Sequence, residues 1–493
     1  MGTTISSFLR GTAFATALIL AVVPNCAQAQ LRNANWIFAQ NHVSFTSGTA
    51  VATAVEVPPY RPFNSLSDPT GTALVHAVHT VVLNAQLDTM SGCPALDTGE
   101  GIQGFLFLPF PGDTNDLAFF HNHATNFGCE LSFGRIDLAQ DNGLGAFVGG
   151  MTLLNNWTAS KLTAVAHANG QDYWVLTQIL GTDEIAAYLL SATGVDSVPV
   201  ISHTGVPMIA QFDGTEAVQD RGAMVASYTG DRLAMAGLVS SNVEPYTLDH
   251  ARIEVLHFDN ATGSATHAAS IPPPTGNTIN GIEFSPDGSK LYFTSKSALE
   301  LPITSTLHQY DLSVQDEAAI IASHTVIFTE EVGSFDVQDP FGQLALAPDR
   351  RIWFIRWPGS PWLGVIESPN EAWAACTPVM DQLLLPHNAG AGLPSQCKRY
   401  HDSELTHTGI PASEEAGTLM TWPNPTQGVL NINAPEPGCT SQLYDATGRL
   451  VLSTMHGPRR TATVDVAGLP AGPFLVRCTD ALGNGWTSTM LKE

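Results

Sequence analysis

Residues 282–294 read IEFSPDGSKLYFT, in which two runs rich in apolar residues flank the turn sequence SPDG. Pro286 presets φ, Asp287 accepts backbone hydrogen bonds and Gly288 can adopt a positive φ, which together favour a tight β-hairpin. Three other segments share this order of strand, polar turn and strand: LTAVAHANGQDYWVL at 162–176, AMVASYTGDRLAMA at 223–236 and LALAPDRRIWFI at 344–355. The sequence therefore predicts a hairpin that recurs along the chain.

The hairpins recur at a nearly constant interval. The equivalent residues Val175, Leu233, Leu291 and Ile352 are separated by 58, 58 and 61 residues. Apolar strands follow three of the hairpins, so that each period predicts a four-stranded antiparallel sheet. Such a sheet cannot bury both faces alone, and its neighbours must stack on it around an axis. With less regular strands near 36–45, 74–83 and 105–110, the sequence predicts an all-β fold, a β-propeller of about seven blades spanning residues 31–400. A stack of unrelated β-sandwiches with similar turns is the alternative.

Composition restricts the classes of function. Hydrophobic residues make up 44% of the 493 residues, enough for a large core, which argues against intrinsic disorder. Lys and Arg total 20 against 45 Asp and Glu, for a formal net charge of -25. A surface this negative repels phosphate backbones and anionic lipids, so we expect no nucleic-acid partner and no polybasic membrane binding.

The N-terminus has the pattern of a secretory signal peptide. Arg10 precedes an apolar run over 13–23 and the small-residue sequence AQA at 27–29, which predicts cleavage after Ala29. Cys26 raises the alternative of a lipoprotein, but the preceding residues lack the small side chain expected there. No later stretch is apolar for long enough to predict a transmembrane helix. The sequence predicts an exported mature chain.

Six cysteines remain after removal of residues 1–29. An even number in an oxidising compartment favours disulfides. Grouped by sequence neighbourhood, they predict Cys93–Cys129, Cys376–Cys397 and Cys439–Cys478. A zinc site is the competing interpretation, but the sequence contains no CxxC or HxxxH pattern to support it.

Beyond the propeller, residues 401–418 are polar and aperiodic and are expected to be a linker. Residues 419–493 hold several short predicted strands, enough for a small C-terminal β-sandwich. Leu443, Leu450, Leu469 and Phe474 are expected to fill its core.

Three motifs in this tail carry a resemblance to a known family. They read PNPTQG at 423–428, YDATGR at 444–449 and GLPAG at 468–472. Their order resembles the type A C-terminal sorting domain of the type IX secretion system. The motif residues are Pro423, Asn424, Pro425, Gly428, Tyr444, Gly448, Leu469, Pro470 and Gly472. A structural sandwich without a sorting role is the alternative.

The resemblance implies where the protein is delivered and does not imply a reaction that it catalyses. Such domains are recognised by the outer-membrane translocon after export across the inner membrane. They are usually cleaved as the cargo is released or attached to the surface. The expected location is therefore extracellular or on the outer cell surface.

The body of the chain resembles secreted proteins of bacteria that use this system. The matching stretches are NWIF at 35–38, GQDYWV at 170–175, FSPDGSKLY at 284–292, LGVIESPN at 363–370 and GLP at 392–394. The resemblance supports the architecture and location of the chain more than any activity.

Signatures of catalysis are scarce, and we expect no cofactor and no metal. The sequence has no GxSxG, HExxH or GxGxxG motif. The pairs His76 with His79 and His121 with His123 could ligate a metal, but surface or core histidines are the favoured interpretation.

One hairpin turn carries a candidate binding site. His167 and Asn169 lie in a turn beside Tyr173 and Trp174. Aromatic faces stack on sugar rings and amides bind hydroxyl groups, so these four residues are predicted to contact a ligand. A role for Trp174 in the blade core is the alternative.

These observations favour a secreted binding protein that recognises a glycan or a surface protein through loops at one end of the propeller. The first alternative is a glycoside hydrolase or lyase with carboxylates or histidines near the central channel. The second is a scaffold in adhesion or gliding.

Overall fold

The computed structural model describes residues 31–96, 103–125, 128–204, 222–238, 251–272, 277–297, 303–314, 316–332, 342–356, 359–390, 392–400, 419–434, 439–445, 449–456, 461–479 and 485–492. Strands dominate these residues, which confirms the all-β prediction. The chain divides into two compact units, residues 1–407 and 408–493. The predicted signal peptide (1–29) and linker (401–418) lie outside the described residues. No described helix is long and apolar enough to cross a membrane.

Seven antiparallel sheets follow one another along the first unit. Sheet 1 contains β1 (Asn35–Phe38), β2 (Asn41–Ser44) and β3 (Val51–Ala54), and sheet 2 contains β4 (Phe63–Ser67), β5 (Ala73–Val78) and β6 (Val81–Asn84). Sheet 3 contains β7 (Phe105–Pro109), β8 (Asp116–Thr125), β9 (Gly128–Asp137) and β10 (Ala146–Thr158). Sheet 4 contains β11 (Thr163–Ala166), β12 (Tyr173–Gln178) and β13 (Glu184–Ser191), with β14 (Gly194–Val195) and β15 (Val200–His203) both paired to β13.

The last three sheets have four strands each. Sheet 5 contains β16 (Met224–Ala226), β17 (Arg232–Leu238), β18 (Ala251–Asp259) and β19 (Ser264–Ile271). Sheet 6 contains β20 (Asn277–Phe284), β21 (Lys290–Ser297), β22 (Ile303–Asp311) and β23 (Thr325–Val332). Sheet 7 contains β24 (Leu344–Leu346), β25 (Ile352–Ile355), β26 (Trp362–Ile366) and β27 (Pro378–Leu384). Short helical segments occur at Leu31–Asn33, Asp141–Gly143 and α1 (Glu317–Ala322).

Buried apolar clusters connect the sheets in sequence order. One cluster joins sheets 2, 3 and 4, and others join sheets 4 and 5, 5 and 6, and 6 and 7. A further cluster contains Trp353 and Val365 of sheet 7 together with Trp36 of sheet 1 and Val78 of sheet 2. Because this cluster connects the end of the series to its beginning, the sheets close into a ring. The predicted β-propeller of about seven blades is confirmed.

The first strand of each sheet lies next to the axis. Polar side chains link these inner strands from one sheet to the next. The Ile37 amide donates to Ser65 Oγ at 3.2 Å, and the Leu346 amide donates to the buried Glu283 Oε2 at 3.0 Å. Gln103 Oε1 accepts from the amides of Leu162 (3.2 Å) and Met224 (2.8 Å). The inner strands are therefore held by specific hydrogen bonds as well as by apolar packing.

A recurring contact joins each of three blades to the next. Trp174 Nε1 on β12 donates to the carbonyl of Asn260 at 2.9 Å, in the turn between β18 and β19. Arg232 Nη1 and the Tyr292 hydroxyl make the same kind of bond to the carbonyls of Leu312 (3.0 Å) and Pro369 (2.9 Å). Side chains of different types at these positions thus donate to a backbone oxygen of the following blade.

The second unit is a small sandwich of two sheets. One contains β28 (Met420–Trp422), β29 (Val429–Asn433) and β32 (Thr461–Asp465). The other contains β30 (Thr440–Tyr444), β31 (Leu450–Met455), β33 (Gly472–Thr479) and β34 (Gly485–Lys492), in the order β31-β30-β33-β34. Both sheets contribute to one buried cluster, which includes Leu430, Leu443, Val464, Phe474 and Met490. The predicted C-terminal β-sandwich is confirmed.

One predicted core residue of this sandwich lies outside it. Leu450 is 45% exposed, whereas Leu443 and Phe474 are buried as expected and Leu469 packs against the core from its edge. A register shift next to Tyr444 pairs Leu450 with Tyr444. Since pairing partners share a face of the sheet, the shift turns Leu450 outward.

The structure contains no disulfide among the six described cysteines, so none of the three predicted pairs is shown. Cys93 lies beside the Val82 amide, whereas Cys129 pairs with Ala124 in the hairpin of β8 and β9. Cys376 packs in the cluster between sheets 6 and 7, and Cys397 packs in the cluster of sheets 2 to 4. Closeness in sequence does not bring side chains together in a ring of sheets. Cys439 and Cys478 lie in the same core beside adjacent strands, and that disulfide stays a prediction.

Glycine at position 263 should be required by the indole of Trp174. Gly263 has φ +75°, and a Cβ there would lie 2.7 Å from Trp174 Cη2. Gly170 has almost the same φ, +76°, but no described atom lies within 4 Å of its Cβ position. Gly170→Ala should lower the free energy of unfolding by about 1–2 kcal/mol, because a residue with a Cβ is strained at this positive φ. Gly263→Ala should lower the free energy of unfolding by about 1–3 kcal/mol more than Gly170→Ala does, because its new Cβ also overlaps the indole ring of Trp174. Denaturant unfolding of both variants measures the difference, and equal losses would contradict this role.

Mild acid should destabilise the propeller through its buried histidines. Burial lowers the pKa of His76 and of His308 to about 3, from 6.5 in an unfolded chain. His308 Nε2 contacts Ser295 Oγ at 2.7 Å, and its Nδ1 contacts His324 Nε2 at 2.9 Å. Between these pH values the unfolded chain binds more protons, so the free energy of unfolding decreases as pH falls.

We expect a loss of about 2 kcal/mol per buried histidine between about pH 7.5 and about pH 5. The measurement is the denaturant midpoint as a function of pH. His308→Gln removes one titrating group and should make the decline shallower, even if its stability at neutral pH is lower. An unchanged slope in this variant would show that His308 is not a source of the acid sensitivity.

Candidate functional site

The central channel of the propeller is filled by its own chain. Residues 392–400 leave sheet 7 and run along the axis, where they contact the inner strands. The Leu393 amide donates to Gln343 Oε1 at 2.8 Å, and Gln396 Nε2 donates to the carbonyl of Ser65 at 2.5 Å. The Asn64 side chain donates to the carbonyl of Ser395. A cavity of only about 30 Å³ remains between this segment and the inner strands, enough for about one water molecule.

Lys398 and Glu283 form an ion pair within this channel. Glu283 is 1% exposed and also accepts hydrogen bonds from the amides of Leu346 (3.0 Å) and Phe284 (2.9 Å). The Lys398 ammonium contacts Glu283 Oε2 directly. The carboxylate is therefore satisfied by a cation and by two backbone donors, which suits a structural role in fixing the axial segment.

A larger pocket opens at the end of this axial segment. It has a volume of about 180 Å³ and lies between two hairpin turns, residues 167–170 of sheet 4 and 227–230 of sheet 5. Residues 397–399 and Asn260 complete its wall. We call this cavity the turn pocket.

The turn pocket is lined by basic residues in a strongly acidic protein. Its lining contains the basic residues His167, Lys398 and Arg399 and no Asp or Glu, although the chain has a formal net charge of -25. Lys398 is paired with Glu283, whereas Arg399 is exposed beside Tyr400, the last described residue of the axial segment. Ser227 and Thr229 also line the pocket, and their hydroxyls donate to Asp231 Oδ1 next to it. The basic side chains suit an anionic group at this site.

The four predicted binding residues occupy different positions around this pocket. His167 lines it, and its ring stacks on Trp174 at a centroid distance of 5.4 Å. His167 Nδ1 accepts from the Asn169 amide at 2.9 Å, which leaves Nε2 as the protonated nitrogen of the neutral ring. Asn169 stabilises the turn, since its Oδ1 accepts from the amides of Gln171 and Asp172 at 3.0 Å each.

The two predicted aromatic residues are buried instead of exposed. Trp174 is 5% exposed and lies against His167 and the backbone of Gly263, and its indole nitrogen bonds to Asn260. Tyr173 is fully buried and its ring lies 6.4 Å from that of Tyr400. Both side chains therefore support the wall of the pocket from behind and leave no aromatic face for a sugar to stack on.

Sequence reasoning missed Lys398 and Arg399 as pocket residues. They lie more than 220 residues from the turn at 167–170, and only the passage of the chain through the channel brings them there. Lys398 and Arg399 form one of the few adjacent pairs of basic residues in this acidic sequence, and that pairing is the signal that could have identified them.

In the tail, the predicted sorting motifs lie on or against one sheet, the one that contains β30, β31, β33 and β34. Asn424 Oδ1 accepts from the Leu491 amide, and its Nδ2 donates to the Thr489 carbonyl, both at 2.9 Å. The Thr426 amide donates to the Leu491 carbonyl at 2.9 Å. Tyr444 and Gly472 lie on neighbouring strands of the sheet that ends in β34. Of the predicted motif residues, Gly448 lies outside the described residues.

The tail matches a known family. Residues 420–491 match the family described as the secretion system C-terminal sorting domain. Among curated proteins, none matches the chain.

Several solved structures resemble the chain weakly. The Nup133 β-propeller domain of Vanderwaltozyma polyspora has a TM-score of 0.34 at 10% identity and covers 66% of this chain and 89% of its own. Sqt1 of Chaetomium thermophilum, bound to the N-terminus of the ribosomal protein L10, has a TM-score of 0.30 at 12% identity. The match covers 80% of this chain and 89% of Sqt1. An endo-arabinase of Bacteroides thetaiotaomicron has a TM-score of 0.30 at 10% identity. The match covers 61% of this chain and 100% of the endo-arabinase. Similarities at this level say nothing about the activity of this chain.

Fold and tail together define a secreted β-propeller protein. Residues 420–491 are a C-terminal sorting domain of the type IX secretion system, as the motifs predicted. The protein is accordingly delivered to the cell surface or the extracellular space. The resemblance of the body to the family that opens with residues 35–38 stays a prediction.

Removal of the tail should abolish delivery. A chain ending at residue 418 keeps the described propeller but lacks the sorting domain. In a bacterium with a type IX system, we expect this chain in the periplasm and the full chain at the surface or in the medium. Cell fractionation measures the distribution, and protease resistance of the retained propeller serves as the folding control. Surface delivery of the truncated chain would contradict the assignment.

Proposed function

We propose that the secreted propeller binds an acidic polysaccharide and holds one of its uronic acid residues in the turn pocket. The observation that carries this proposal is the composition of the lining, which has three basic side chains and no carboxylate in a chain of net charge -25. Because Lys398 is paired with Glu283, the Arg399 guanidinium is the group that offers an anion a favourable electrostatic interaction here.

Arg399 is the expected anchor of the ligand. Its planar guanidinium can form two parallel hydrogen bonds to a carboxylate, which a point charge such as ammonium cannot. Lys398 is already paired with Glu283, so its contribution is mainly to place residue 399 at the mouth of the channel. His167 can add one donor from Nε2, since its Nδ1 accepts from the Asn169 amide.

The rest of the lining favours a sugar over an acidic side chain of a protein. In the lining turn at 227–230, the Thr229 hydroxyl donates to Asp231 Oδ1, which leaves its oxygen able to accept from a sugar hydroxyl. Hydroxyl and carbonyl groups of this kind recognise the hydroxyl groups of a pyranose ring. A volume of about 180 Å³ also limits the pocket to a single ring or chain end. The enzyme and scaffold alternatives stay predictions, and the filled channel supports binding over chemistry at the axis.

Removal of the Arg399 charge should weaken binding. We expect Arg399→Gln to reduce affinity for alginate oligosaccharides about tenfold or more, since a charge-assisted contact contributes about 1.5–3 kcal/mol. Arg399→Lys should retain part of the affinity. Calorimetric titration of the purified mature chain measures both, and product analysis in the same samples reports any cleavage of the oligosaccharide.

A matched variant and a neutral ligand serve as controls. Arg252→Gln removes one positive charge from β18, away from the turn pocket, and should leave affinity unchanged. Neutral glucan oligosaccharides should bind more weakly, and added salt should weaken only the acidic ligand. Equal affinity of the wild type and Arg399→Gln, or equal binding of neutral and acidic sugars, would refute the proposal.

A further inference from the structure

The outer face of one tail sheet is unusually apolar. In β33 the residues alternate, so that Phe474 and Val476 point into the core while Leu475 points out. Leu475 is 44% exposed, Leu491 on β34 is 43% exposed and Leu450 on β31 is 45% exposed. The outer face of a small sandwich is usually polar, because water covers it. Three large exposed leucines on one sheet therefore need an explanation.

The register places these leucines side by side. Tyr444 pairs with Leu450 on one side and with Leu475 on the other, and Pro473 pairs with Leu491. Paired residues share a face, so the five side chains form one patch across all four strands. We call Tyr444, Leu450, Pro473, Leu475 and Leu491 the apolar face. An open groove of about 570 Å³ lies over its centre, where Tyr444, Pro473 and Leu475 line it and Asp445 and Arg477 border it.

All three sorting motifs meet at this face. The first motif reaches β34 through Asn424 and Thr426, which bond to the backbone of Thr489 and Leu491. The second supplies Tyr444 and the third ends at Gly472, next to Pro473. Segments that are widely separated in the sequence thus converge on one end of one sheet. The same arrangement turns the apolar side chains outward and fixes the edge strand beside them.

We propose that the apolar face is the surface through which the outer-membrane translocon of the type IX secretion system recognises this protein. The inference rests on the sorting role of residues 420–491, which requires that the secretion machinery binds the tail. An apolar centre with an aromatic residue and a charged rim has the composition of a protein interface. The complementary surface on the translocon is accordingly apolar, with polar groups that meet Asp445 and Arg477.

The test replaces exposed leucines in the full-length chain. Leu475→Gln with Leu491→Gln makes the centre of the face polar without changing the buried core. The matched control is Val429→Gln, since Val429 is 50% exposed on the other sheet of the same sandwich. In a bacterium with a type IX system, the double variant should reach the surface or medium at least tenfold less than the wild type. The control should be delivered as well as the wild type.

A second measurement guards against misfolding of the double variant. A photo-crosslinking residue at position 475 of the otherwise wild-type chain should capture a component of the translocon, identified by mass spectrometry. The same probe at position 429 should not capture it. Capture at 475 of the propeller of the same chain, or of a second copy, would overturn the proposal.

Failure of this proposal is distinguishable from failure of the sorting assignment. If the double variant is delivered normally while the chain ending at residue 418 is retained, the tail is a sorting signal that is read elsewhere. If the truncated chain is also delivered, the sorting assignment itself fails. Equal loss of delivery in Val429→Gln would show that the effect is not specific to the apolar face.

Discussion

The propeller depends on one constraint, which is that each of its sheets is apolar on both faces and must be covered by a neighbour on each side. In sheet 5, residues of β17 alternate between the cluster shared with sheet 4 and the cluster shared with sheet 6, as Leu233 and Ala234 show. An open row of such sheets would expose its two ends to water. Ring closure removes both ends, and Trp353 and Trp36 bury the final seam between sheets 7 and 1.

The axial segment holds the ring together and places the proposed binding site at one end of it. Residues 392–400 occupy the space where a ring of seven sheets leaves a channel, and Asn64, Gln343 and Glu283 bind the segment from different blades. With the axis filled, the turn pocket remains as a polar concavity where the segment emerges. The same structural element thus stabilises the fold and delivers Arg399 to the proposed ligand.

The two units of the chain have different roles. The propeller provides a rigid frame whose hairpin turns carry the proposed binding site. The tail is a small sandwich with one buried cluster and a match to a sorting family. Its motifs serve its fold directly, since both amide atoms of Asn424 bond to the backbone of β34. Export and the proposed ligand binding therefore involve separate units of the chain, so variants can test each of them independently.

The sequence alone determined the features that depend on neighbouring residues. The SPDG turn forms as predicted, with Gly288 at φ +71° and its amide bonded to the Ser285 carbonyl at 2.9 Å. Hairpin spacing predicted the ring, and the motifs of the tail predicted the sorting domain. Tertiary structure alone decided which side chains are available. It buries Trp174 beneath the turn of the next blade, separates Cys376 from Cys397, turns Leu450 outward and brings Arg399 to the turn at residue 167. Turn geometry is fixed by local backbone preferences, whereas exposure and proximity depend on contacts between residues far apart in the chain.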